Sequence, residues 1–299
     1  MPANSAFIRA APAVFVFLWS TGFVGARFGL PYADPLTFTS VRFAIVIVLL
    51  AIVVAVQGRS LPRDPAMWGH LAVSGILIHA CYIGGVYLAI DVGVDISIAA
   101  LIAGAQPLLT AFVAVAVLGE TLRRWQWVGF ALGFAGLALV VTKSFEVGTL
   151  PATGLAGCLF ALAGITLGTL YQKRFVIGVD LMAGSVIQFC AALIPCVLWA
   201  LVFESAHMEW NFTVVATLTW LCVVMSIGAI TILLYLIRNG AAARVSSLFY
   251  LVPPVTALQG YVLFGETLTM LQIGGIALAA AGVALINMTG DSASATQQR

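Results

Sequence analysis

The sequence predicts an all-α integral membrane protein: ten transmembrane helices in two inverted-topology repeats of five, with both termini on the cytoplasmic side. Three observations predict it, namely an apolar composition, long apolar runs joined by short links, and an internal duplication. Of 299 residues, 62% are apolar and only 8% are Asp, Glu, Lys or Arg, whereas a soluble domain carries roughly 25% charged residues. This balance excludes secreted disulfide scaffolds, nucleic-acid binders with basic stripes and ordinary cytosolic enzymes.

A spanning helix needs about 20 apolar residues to cross roughly 30 Å of hydrocarbon. Apolar runs broken by charge, Pro or Gly occur at 10–29, 36–56, 66–90, 96–118, 124–142, 152–172, 181–203, 212–237, 243–264 and 269–288. The first is the opening member of a series of similar runs, so it reads as a retained span rather than a cleaved leader. The links are short, for example Gly119 to Arg123 and Gly265 to Thr267, which forces successive helices to run antiparallel.

Basic residues near span ends favour the cytoplasm. With the N-terminus inside, ten of the thirteen fall on the inner side: Arg9, Arg59, Arg63, Arg123, Arg124, Lys173, Arg174, Arg238, Arg244 and Arg299. Arg27 and Lys143 stay outside and Arg42 lies within the second span. The acids Asp34, Asp91, Asp95, Glu146, Glu204, Glu209 and Glu266 lean outward.

A shift of 146 residues lays Gln106–Thr142 over Val252–Met288 with fifteen of 37 positions identical. Gly119-Glu120-Thr121-Leu122 meets Gly265-Glu266-Thr267-Leu268, and Pro107 meets Pro253. The chain therefore divides into repeats at 1–145 and 146–290, followed by a polar cytoplasmic tail at 291–299. An odd number of spans per repeat inverts the second copy. Inverted repeats commonly hold a substrate near the midplane and rock between inward-open and outward-open states.

Trp19-Ser20-Thr21-Gly22-Phe23, Arg42-Phe43 and the repeated Pro…Gly-Glu…Gln…Gly…Gly pattern resemble the drug/metabolite transporter superfamily, in its ten-span EamA-like branch, nearest to the YddG-type exporters of aromatic and other amino acids. The resemblance covers almost the whole chain. It implies a carrier of small organic metabolites in the bacterial inner membrane, often an exporter, without a cofactor. Nucleotide-sugar, lipid and drug carriers share the fold and stand as the alternative.

Polar side chains inside a bilayer usually face the bundle interior or a water-filled cavity. On this ground Trp19, Thr21, His79, Tyr82, Gln106, Thr166, Thr169, Tyr235, Ser246 and Tyr250 are the candidate substrate-binding residues. Several pairs recur at helical spacing, among them His79 with Tyr82 and Ser246 with Tyr250. Such an aromatic, hydroxyl-rich lining suits a neutral or zwitterionic solute with an apolar part; the same groups also serve to bond helix to helix.

Pro107 and Pro253 are candidate hinges, since a helix proline removes a hydrogen bond. Arg42, about two turns into the second span, can meet a substrate carboxylate, gate the outer mouth beside Asp34 or Asp91, or snorkel to the interface. Gln188 holds its repeat-equivalent place. Glu120 and Glu266 read as structural, complementing the dipole of the next helix with Thr121 or Thr267 as caps.

The glycine stripes Gly129/Gly133/Gly136 and Gly274/Gly275/Gly282 suit close packing within the chain or a dimer seam. Trp68, Trp125, Trp127, Trp210 and Trp220 read as interfacial anchors, and the five cysteines as buried thiols. The three histidines have no metal-ligand spacing, and no G-x-S-x-G or P-loop occurs, so an intramembrane enzyme is a weak reading and no metal is expected. The expected partners are a small-molecule substrate and the lipid bilayer, with no nucleic acid; five plus five spans suffice for a monomer.

Overall fold

The computed structural model describes residues 5–118, 124–146, 148, 150–229, 232 and 248–297; residues 5–9, 111, 114–118, 227, 229, 250 and 286–297 are described by backbone alone. Among them the structure is helical, with one isolated bridge between Ala33 and Met208. The helices are α1 (Ser5–Gly29), α2 (Pro35–Val56), α3 (Pro65–Gly75), α4 (Gly85–Asp91), α5 (Ile96–Gly104), α6 (Gln106–Leu118), α7 (Arg124–Glu146), α8 (Ala152–Phe175), α9 (Leu181–Phe203), α10 (Phe212–Thr219), α11 (Val252–Phe264) and α12 (Met270–Gln297). The last takes in most of the polar tail.

Among the described residues six segments are long and apolar enough to cross a membrane: Ala10–Tyr32, Pro35–Val56, Pro65–Asp91, Arg124–Glu146, Ala152–Phe175 and Leu181–Phe203. Shorter apolar helices at Ile96–Thr110, Phe212–Ser226, Val252–Phe264 and Met270–Leu285 occupy the places of the other expected spans.

Two of the spans depart from α geometry. Residues Ile76–Gly84, between α3 and α4, and Trp220–Ala229, after α10, are π-helical. The span from Ile96 is broken at Ala105, one residue before α6 opens with Gln106-Pro107. At the repeat-equivalent place a short 3₁₀ turn, Phe249–Leu251, precedes α11, which opens with Val252-Pro253. In each helix the proline stands in the first turn, where no amide hydrogen is needed.

The chain forms two compact units, one of Met1–Val24, Val94–Pro151 and Val224–Arg299, the other of Gly25–Gly93 and Ala152–Val223. Each draws on both halves of the sequence. In the first unit α7 packs against α12 backbone to backbone. A Cβ added at Gly136 would lie 2.5 Å from the Gly275 oxygen and the Ala279 nitrogen, and one at Gly282 would lie 2.4 Å from the Gly133 nitrogen. The two glycine stripes therefore fill each other's faces. Gln272 Nε2 donates to Ser144 Oγ at 3.0 Å in the same seam.

In the second unit α2 packs against α9, and both ends of the pair are tied by carboxylates. At one end Glu204 accepts from Leu36 N, Thr37 N and Thr37 Oγ1, each at 2.8 Å. Asp34 answers from the opposite side, accepting from Ser205 N and Oγ and from His207 N at 2.8 to 3.0 Å. At the other end Asp180 caps α9 through Met182 N and Ala183 N and pairs with Arg59 at 2.6 Å. Asp34 and Asp180 are 146 residues apart, as are Arg59 and Ser205.

Partial burial works against ionisation of Asp34, but the Ser205 and His207 hydrogen bonds outweigh it and hold the carboxyl below its ordinary range. The same balance, won by the Ala183 amide and Arg59, lowers Asp180. A carboxyl depressed in the folded state contributes stability above its unfolded value and loses it as pH falls through the folded one. Thermal unfolding between pH 6 and pH 2.5 is thus expected to show an acid-side loss that is shallower in Asp34→Asn and Asp180→Asn. Parallel curves for wild type and both variants would remove the clamps from the account of acid stability.

Two expectations are corrected here. Cys158, Cys196 and Cys222 are buried and Cys81 partly so, but Cys190 is exposed. It lies on α9 near Ile194 and Leu198, which are also exposed, on a face suited to lipid. The cap of α12 is Thr269, whose hydroxyl and amide exchange bonds with Gln272 as a capping box, and not Thr267. Trp68, Trp125, Trp127, Trp210 and Trp220 are all well exposed, as anchors should be.

Candidate functional site

Within the second unit, the span Pro65–Asp91 brings His79, Tyr82 and Tyr87 toward residues of α2 and α9. His79 stacks on Phe189 with ring centroids 4.0 Å apart and meets Phe43 edge-on at 6.3 Å; Phe43 and Phe189 touch at 5.2 Å. Arg42 and Gln188 are polar neighbours of the His79 ring. Arg42-Phe43 and Gln188-Phe189 are 146 residues apart, so the same position in each half supplies one polar and one aromatic side chain to this histidine.

Arg42 is 4% exposed, and its Nη1 donates to the Tyr87 hydroxyl at 2.8 Å. A guanidinium buried this way and bonded to a phenol within the protein is not snorkelling to the interface. Nor does Asp34 face it, since that carboxylate is committed to Ser205 and His207. Asp91 lies at the exposed end of α4. Tyr82 is within electrostatic range of Tyr87 and Arg42. Gln188 Nε2 donates to Ser74 Oγ and Gln172 Oε1, both at 2.9 Å.

Thr166 and Thr169 belong to the same unit, on α8. Thr166 is fully buried, and the Thr169 hydroxyl donates to carbonyls of its own helix, Ile165 and Thr166.

In the first unit Trp19 meets Phe249 edge-on at 5.2 Å and Phe15 at 5.4 Å. Thr21 is buried and donates to Leu18 O; the neighbouring Ser20 donates to Val16 O and Val252 O. Gln106 and Pro107 are partly buried at the start of α6, beside the break. A Cβ at Gly104 would lie 2.9 Å from Pro253 Cγ, so the two interrupted spans abut at their breaks. Leu101, Gly104, Ala105, Leu108 and Pro253 line a small apolar cleft there.

Tyr235, Ser246 and Glu120 lie outside the described residues, as does the side chain of Tyr250. Tyr87, Phe189 and Phe249 are members of these clusters that sequence reading missed. The 146-residue shift applied to Arg42-Phe43 was the available signal for Phe189. Tyr87 and Phe249 carry no comparable signal.

A helical membrane protein with broken spans and buried polar-aromatic clusters is built as a carrier. The sequence model of the EamA-like transporter family matches residues 11–142 and again 152–288, and the chain belongs to that family. It is 28% identical to the inner membrane transporter YedA of Escherichia coli K12, over 91% of this chain and 87% of the relative. Identity is also 28% to a probable amino-acid metabolite efflux pump of Salmonella typhimurium, over 92% of each. A solved crystal structure superposes with a TM-score of 0.65 at 20% identity, covering 93% of this chain and 96% of the other; it supports the fold alone.

Proposed function

We propose that this protein carries amino acids, aromatic ones included, across a bacterial inner membrane, by alternating access of two inverted five-span repeats whose termini both face the cytoplasm. The observation that carries the reading is the cluster of Arg42, Tyr82 and Tyr87 with the His79, Phe43 and Phe189 rings. A guanidinium among phenols and aromatic faces is the chemistry that matches a carboxylate attached to an aromatic side chain. The relatives named for inner-membrane transport and for amino-acid metabolite efflux support the compartment and the substrate class. The spacing of 146 residues between Asp34 and Asp180, Arg42 and Gln188, and Gly136 and Gly282 supports the repeats.

Transport is facilitated in this reading, the solute moving down its own gradient. Liposomes holding the purified protein and unlabelled phenylalanine, with no ion gradient, are expected to take up labelled phenylalanine by counterflow. His79→Ala and Tyr82→Ala should each cut that rate about tenfold while the protein stays folded, the loss expected when a stacking or bonding partner worth about 1.4 kcal/mol is removed. Normal rates in both variants would displace the site, and counterflow of nucleotide sugars or organic cations alone would displace the substrate. Cysteines introduced at Asp95 and Glu204 should react with an impermeant reagent from outside, and one at Arg174 should not; outside labelling at Arg174 would overturn the topology.

A further inference from the structure

We propose that the π-helical stretches Ile76–Gly84 and Trp220–Ala229 are paired register switches of the transport cycle, and that the Arg42–Tyr87 hydrogen bond holds the first of them in its π form. The proposal rests on the transport reading above for its purpose, not for its geometry.

π-helix is rare and occurs mostly as single-turn bulges, often at functional sites. Here it runs for nine residues in one span and ten in another. Shifting Ile76–Gly84 by 146 places it on residues 222–230, eight of which fall within the second stretch. No residue is identical between the two at that shift. Aligned from their first residues, a shift of 144, they share Leu77 with Leu221 and Ile83-Gly84 with Ile227-Gly228, so the pairing rests on geometry and on place in the repeat.

A chain bonded i to i+5 holds more residues per turn than one bonded i to i+4. Reversion of one such turn to α moves everything beyond it by one residue, about 100° of rotation and 1.5 Å of rise. Beyond the first stretch lies α4, with Tyr87 on Arg42 at 2.8 Å. A slip of one residue takes the phenol off the guanidinium, so that contact reports the register.

The surroundings suit a slip. Gly75 precedes the stretch, Gly84 ends it and Gly85 follows. The neighbouring α8 meets it through glycines: a Cβ at Gly164 would lie 2.7 Å from Cys81 Cβ and 2.9 Å from Leu77 O, and one at Gly168 would lie 2.6 Å from Ile78 Cγ1. Glycines let α8 come close to the stretch, while the His79 ring stacked on Phe189 at 4.0 Å is a contact that a slip must break and remake. In the second stretch the chain passes from one compact unit to the other, between Val223 and Val224.

Hydrogen exchange reads local opening directly. The full chain in lipid nanodiscs, without solute, should show amides of 76–84 and 220–229 exchanging at least tenfold faster than those of the middle turns of α2 and α9. Tyr87→Phe should speed exchange in 76–84 at least threefold further and leave α2 unchanged. Saturating phenylalanine should slow both stretches together. Protection of both stretches equal to α2 and α9 in wild type would overturn the proposal without any variant, and so would an unchanged 76–84 segment in folded Tyr87→Phe. Labile stretches that ignore phenylalanine, with no phenylalanine counterflow, would leave the switch standing and remove the amino-acid reading.

Discussion

Gly282→Ala is expected to destabilise the protein by about 2–3 kcal/mol, the upper part of the usual range for overpacking a tight contact, whereas Gly274→Ala should be neutral or slightly stabilising. Both are glycines of α12, and alanine is the better helix former by roughly 1 kcal/mol. Propensity alone therefore predicts a gain at each. Packing separates them, because a Cβ at Gly274 meets nothing within 4 Å while one at Gly282 lands 2.4 Å from the Gly133 nitrogen and 2.5 Å from the Gly129 oxygen. Backbone atoms cannot rotate away as a side chain can, so α7 and α12 must separate along the seam. Gly136→Ala, the repeat-equivalent change, should behave like Gly282→Ala. Thermal unfolding in detergent, followed by intrinsic fluorescence, decides it. Equal melting temperatures for the Gly274 and Gly282 variants would mean that the two helices are not in backbone contact.

The glycine seam was legible from spacing, and so were the apolar runs, because both are written in residue types at fixed intervals. What faces what was not. The stripes allowed a partner chain as readily as each other, and only the tertiary contact of Gly136 with Gly275 and Ala279 selects between them. The composition of the two compact units was equally hidden: α2 joins α9, and α7 joins α12, through contacts between residues more than a hundred positions apart.

At the candidate site, His79 and Tyr82 were picked out as polar groups in an apolar run, but on the assumption of an α-helix in which residues three apart share a face. The π geometry widens the turn and spreads them, and no residue spacing reveals it: at the 146-residue shift the two stretches share no residue. Arg42 was visible as a charge inside a span; Tyr87, the phenol that holds it, is one tyrosine among seven.

Glu266→Gln is expected to cost about 2–4 kcal/mol of stability and to leave the facilitated counterflow of each folded molecule intact. Sequence reading gave this carboxylate a structural part at the helix that follows it; the structure gives it a structural part elsewhere. Glu266 is 8% exposed, its Oε1 accepts from Ile96 N at 2.8 Å, and its Oε2 accepts from Ser97 N at 3.3 Å and Ser97 Oγ at 3.0 Å. It therefore caps α5, and Glu204 does the same for α2. The first amides of a helix have no partner within it, and where water is scarce each one left bare is costly. A glutamine keeps one acceptor oxygen and turns an NH₂ toward the Ser97 amide at the other, exchanging a charge-assisted bond of roughly 1.5–3 kcal/mol for a repulsion, while the Ser97 hydroxyl turns to accept. Room for a shift is lacking, since Gly260 lies directly against Oε2. Melting temperature and yield should fall, while counterflow of phenylalanine without an ion gradient, normalised to folded protein, should match wild type. A Glu266→Gln protein that melts normally but loses phenylalanine accumulation driven by a pH gradient would make this glutamate a proton carrier and would replace facilitated transport with coupled exchange.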